Sequence, residues 1–85
     1  MKITIAPEAA GQLSKLPKPI QKKANKQFTF LLTNYRHPSL RARKMGDSKT
    51  YEARIDIHYR FTFQIEEENI YILIIGPHDT GLGKK

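Results

Sequence analysis

The residues of this 85-residue chain best suited to chemistry are two arginines and a histidine: Arg54 and Arg60, six positions apart, and His78, just after Gly76-Pro77. From 51 to 66 the sequence alternates without a fault. Tyr51, Ala53, Ile55, Ile57, Tyr59, Phe61, Phe63 and Ile65 stand against Glu52, Arg54, Asp56, His58, Arg60, Thr62, Gln64 and Glu66, the period of strands with one buried face. The run is long beside a usual strand of ~5–6 residues, so it is predicted to fold back on itself near Ile57. Directly opposed residues share a face, and burying the odd positions on both arms requires an odd-numbered loop such as Asp56-Ile57-His58. That register sets Arg54 opposite Arg60. Two guanidinium groups so placed repel unless an anion sits between them. A phosphate would serve, held by bidentate hydrogen bonds and more strongly as charge develops in phosphoryl transfer. The competing arrangement is ordinary ion pairing of both arginines with Glu52 and Asp56 on the same face, worth ~0–1 kcal/mol per exposed pair.

His78 would sit at the rim of the sheet with Asp79 beside it. An unperturbed imidazole pKa of ~6.5 suits proton transfer at neutral pH, although a lone histidine after a strand also reads as a turn residue. His37, beside Pro38, and His58 read as turn residues. Tyr35, Tyr51, Tyr59 and Tyr71 occupy apolar positions and read as packing residues. Arg41, Arg43, Lys44 and Lys49 form a basic stretch with Arg36, broken only by Asp47, and run into the hairpin. Arg43 and Lys44 could reach the face of Arg54, and such residues attract phosphate.

The elements that must position these groups follow from spacing. Lys2 to Ala6 alternates as a first strand. Pro7 opens a short helix carrying Ala9, Ala10, Leu13 and Leu16, interrupted by Pro17 and Pro19. Ala24, Phe28, Leu31, Leu32 and Tyr35 give a long second helix from Ile20, with Lys22, Lys23, Lys26 and Gln27 on its outer surface; Asn34 to Pro38 closes it. Glu66 to Asn69 is a turn. Ile70 to Ile75 is apolar at both parities, as in a central strand covered on both faces.

Fifteen Lys and Arg against eight Asp and Glu give a formal net charge of +7, which favours a polyanion or an acidic protein as partner. Without cysteine there is no disulfide framework or thiolate metal site. No apolar run approaches the ~20 residues of a membrane span, and Met1-Lys2-Ile3-Thr4 does not read as a signal segment. The expectation is a single soluble cytoplasmic α+β domain over residues 1–85 with no metal or other cofactor.

The order strand, helical hairpin, three-strand meander, together with Tyr51-Glu52-Ala53-Arg54-Ile55-Asp56, Tyr59-Arg60-Phe61 and Ile74-Ile75-Gly76-Pro77-His78-Asp79, resembles the RelE/ParE toxins of type II toxin-antitoxin systems across nearly the whole chain. The resemblance implies a β-α-α-β-β-β fold. In the RelE branch it also implies a metal-independent endoribonuclease that cleaves messenger RNA on the ribosome and is silenced by a cognate antitoxin. By resemblance, Arg54 contacts the scissile phosphate, Arg60 stabilises the transition state and His78 donates a proton; on charge and position, Arg41, Arg43, Lys44 and Lys49 are the candidate RNA-binding residues. Glu52 stands where RelE itself carries a lysine, and no tyrosine follows Tyr71; the chain also stops at Lys85, short of the terminal helix of many relatives. Other members of the family use a glutamate as base, which makes Glu52, or Glu66, the candidate here. A ParE-like gyrase inhibitor and a non-enzymatic member that binds only antitoxin or RNA are the alternatives.

Overall fold

The computed structural model describes residues 2–34, 36–46 and 49–77. It has the expected α+β order, with one strand more than the sequence pattern indicates. β1 (Lys2–Ile5) leads into α1 (Pro7–Ser14) and α2 (Lys18–Thr33). A single 3₁₀ turn, Pro38–Leu40, then precedes β2 (Arg43–Lys44), β3 (Thr50–Arg54), β4 (Tyr59–Glu66) and β5 (Asn69–Pro77). The sheet order is β1-β5-β4-β3-β2; β1 runs parallel to β5 and the other pairs are antiparallel.

The helix boundaries are set by prolines in a way that spacing alone obscures. Pro17 caps α2 and Pro19 lies within its first turn, where a missing N–H costs no hydrogen bond. The second proline therefore starts the long helix two residues before Ile20 instead of interrupting the chain. Ala24, Phe28 and Leu31 on α2 are buried with Ala9 of α1 against Phe61, Phe63, Ile70, Ile72 and Ile75 of the sheet. Phe28 meets Phe61 edge to face, centroids 5.1 Å apart, a favoured aromatic geometry. Leu32, expected on this face, is exposed; Tyr35 lies outside the described residues.

β5 is an interior strand between β1 and β4, while β4 takes the middle of the sheet, and the apolar run of β5 has a different cause from the one expected. Thr62 pairs with Ile74 while Phe63 pairs with Ile72, so Leu73 is an extra residue in a bulge. The bulge switches parity, which lets Ile70, Ile72 and Ile75 all enter the same core. Ile74 is left partly exposed on the opposite face. Beyond the end of β1, the N–H of Ile75 donates to Gln12 Oε1 at 2.7 Å. A side chain of α1 thus satisfies a backbone group where the neighbouring strand has ended.

Candidate functional site

The β3–β4 hairpin sets the geometry of the site. Asp56 Oδ1 accepts hydrogen bonds from the N–H groups of His58 (2.8 Å) and Tyr59 (2.9 Å), the local capping that makes aspartate a turn residue. Residues 55–58 bend around that carboxylate, and β4 returns in the expected register: Arg54 opposite Arg60, Glu52 opposite Thr62. Ile57 departs from the odd-position rule and is 68% exposed at the apex. His58 is exposed in the turn. His37 caps the 3₁₀ turn by accepting from the N–H of Ser39.

The even-numbered face was expected to be solvent-facing, and here the structure differs. Glu52 is only 3% exposed and Thr62 4%. The Glu52 carboxylate lies beneath two guanidinium groups. Arg43, its cross-strand partner on β2, approaches with Nε 3.4 Å from Oε1. Arg60, diagonal to it on β4, approaches with Nη1 4.0 Å away. Asp56 does not pair with either central arginine; it faces Lys23 of α2 at 3.8 Å. Arg54 has no ion pair among the described residues. The Nε atoms of Arg54 and Arg60 are both buried without a hydrogen-bond partner, and each such donor costs ~1–3 kcal/mol when left unmet. On the far side of Arg60 its partner is Gly76, which contributes no side chain. One carboxylate therefore faces two guanidinium groups, Arg43 and Arg60, with Arg54 unpaired among the described residues on the same face of the sheet, and two buried guanidinium donors are left without an acceptor.

No family model matches the sequence, and no curated protein matches it. Solved structures do. The YoeB/ParE toxin from Agrobacterium tumefaciens superposes with a TM-score of 0.78 at 12% identity, covering 92% of this chain and 99% of that one. A chain of the YoeB-YefM complex from Staphylococcus aureus gives 0.77 at 21% identity, covering 89% and 94%. A chain of the intact E. coli RelBE toxin-antitoxin complex gives 0.72 at 17% identity, covering 87% and 92%. The fold is that of the RelE-like toxins.

Within this RelE-like sheet the residues singled out from sequence separate into groups. Arg54, Arg60, Glu52 and Arg43 share one face. Lys44 does not join them. It pairs with Tyr51, which stacks on Phe63 at 5.3 Å, so Lys44 belongs to the helix-bearing face. There Lys44, Lys49, Tyr51 and Ile65 line a cavity of about 290 Å³. Alternation across β2 requires this split, since consecutive residues of a strand point to opposite faces. Arg41 is exposed and holds a left-handed backbone conformation, φ 48°, that ends the 3₁₀ turn. Glu66 is exposed at the far end of β4, remote along the strand from Arg60. His78 and Asp79 lie outside the described residues. Among the described residues no three His, Asp or Glu side chains come together as a metal site.

One contributor to the site was missed. Gln27, assigned to the outer surface of α2, is 7% exposed. Its Nε2 donates to Arg54 O (2.7 Å) and Ser39 O (3.1 Å), and its Oε1 accepts from Ser39 Oγ. It fixes the end of β3 to the helix beneath, and with it the origin of the Arg54 side chain. The signal was present in the sequence: Gln27 falls between Ala24 and Leu31 beside Phe28, on the apolar stripe.

Proposed function

We propose that this chain is the toxin of a type II toxin-antitoxin system and acts as a ribosome-dependent messenger RNA endonuclease. The observation that carries the reading is the pair of opposed arginines, Arg54 and Arg60, each with a buried Nε–H lacking an acceptor. A phosphodiester between them would supply oxygens to both and offset their mutual repulsion. In the proposed reaction the RNA 2′-oxygen bonds to the adjacent phosphorus and the bond to the 5′-oxygen breaks, leaving a cyclic phosphate and a 5′-hydroxyl end. Arg60 and Arg54 stabilise the extra negative charge on the phosphoryl oxygens. The 2′-proton passes to solvent, since Glu52, the base suggested by resemblance, is buried beneath Arg43 and Arg60 and shielded from the RNA; His78 is the candidate to protonate the leaving 5′-oxygen. Chain connectivity supports the latter role, because His78 follows two residues after Gly76, the cross-strand partner of Arg60.

A cognate antitoxin is the proposed protein partner, with an acidic segment that folds as it covers the basic surface; the ribosome and its messenger RNA are the proposed targets. Mapping of cleavage sites on translating ribosomes tests the activity. Wild type is expected to cut, and Arg60→Ala to cut about 10²–10³-fold more slowly, the usual cost of losing one transition-state donor. Equal cutting by both would remove the proposed site. Relaxed plasmid accumulating with messenger RNA intact would favour gyrase inhibition instead.

A further inference from the structure

The basic residues of α2 take no part in the arginine face, yet they are arranged at a cost to the helix. Lys18, Lys22 and Lys26 recur every four residues and are all exposed. They form one row on the side opposite the buried Ala24, Gln27, Phe28 and Leu31. Successive members are ~6 Å apart along the axis, inside the ~8 Å screening length at physiological salt, so they repel one another as like charges at this spacing do. Lys18 also opens the helix, where the macrodipole disfavours cations. No acidic residue occurs in α2 to compensate. Among the described residues the one carboxylate that reaches α2 is Asp56, and it faces Lys23 on the flank, not the row.

Resting on the RNA-directed reading above, we infer that the Lys18–Lys22–Lys26 row is a second docking surface, one that grips the phosphate backbone of duplex RNA. A regular line of cations without carboxylates matches a polyanion whose charges repeat along a strand. Its exposed neighbours, Asn25 and Thr29, are polar, whereas the centre of a protein interface draws on aromatic and apolar anchors and is depleted in lysine. The row lies on the helix side of the sheet and the arginines on the other. The molecule can therefore hold structured RNA behind it while a single strand reaches Arg54 and Arg60 in front.

The test is binding of a short mixed-sequence RNA duplex to the full chain, followed by fluorescence anisotropy between about 50 and 200 mM salt. Lys18→Gln, Lys22→Gln and Lys26→Gln combined should weaken binding about tenfold or more and flatten the salt slope by about two to three. The three corresponding Lys→Arg changes should leave both intact. Coincident curves for wild type and the glutamine variant overturn the inference, as does wild type that fails to bind the duplex. Loss of affinity for poly-glutamate with duplex binding retained overturns it in favour of an acidic protein. Cleavage is scored separately with Arg60→Ala: if that variant cleaves normally on ribosomes, the catalytic reading fails while the duplex result stands by itself.

Discussion

The two faces of the sheet are both partly closed to water, but by opposite means. On the helix side, Phe61, Phe63, Ile70, Ile72 and Ile75 are covered by α1 and α2, and apolar surface is matched by apolar surface. On the other side, Glu52 and Thr62 are as deeply buried, but beneath charge, with two guanidinium donors left unmet. The first face holds the protein together. The second carries an unfavourable arrangement that a bound anion would relieve, the pattern expected where stability is given up for binding.

Substitutions should separate the faces by sign as well as size. Phe61→Ala removes the ring packed on Phe28 and Phe63 and should cost about 3–5 kcal/mol in urea unfolding, enough to leave a chain of this size largely unfolded. A loss under about 1 kcal/mol would mean that the helices do not depend on this contact. Gln27→Ala strips the amide donor from two backbone carbonyls and should cost about 1–3 kcal/mol. It should also slow the proposed RNA cleavage, because the base of Arg54 is no longer held.

Arg54→Met, on the charged face, has the opposite expected sign. Removing one of two repelling cations and its unmet donor should stabilise the free protein by about 1–2 kcal/mol. Inorganic phosphate should raise the melting temperature of wild type more than that of this variant; equal shifts would show that no anion site lies between the arginines. The smallest effect is expected at the β4–β5 turn, where Glu67 holds φ 56°. Glu67→Gly should gain about 0.5–1 kcal/mol and leave cleavage unchanged.

The arginine pair was legible in the sequence because parity is a strict constraint: burying odd positions on both arms of a hairpin leaves few registers, and Arg54 opposite Arg60 follows. The burial of Glu52 was not legible, since alternation assigns a carboxylate to solvent and cannot register guanidinium groups closing over it. Nor was β2, whose two residues are too few to show a period. Leu73 misled for a related reason. A bulge changes parity within one strand, so an apolar run at both parities looks like burial on two sides when it is burial on one. Gln27 was readable in principle, as a polar residue on an apolar stripe, but it was grouped with its lysine neighbours.

The parallel pairing of β1 with β5 bears on how the molecule comes into being. Lys2 finds its partner at Asn69, so the first strand waits for the last of the described strands, which fills the place between β1 and β4. Contacts so distant in sequence form slowly. The complete sheet, and whatever activity depends on it, can therefore exist only once β5 has been made.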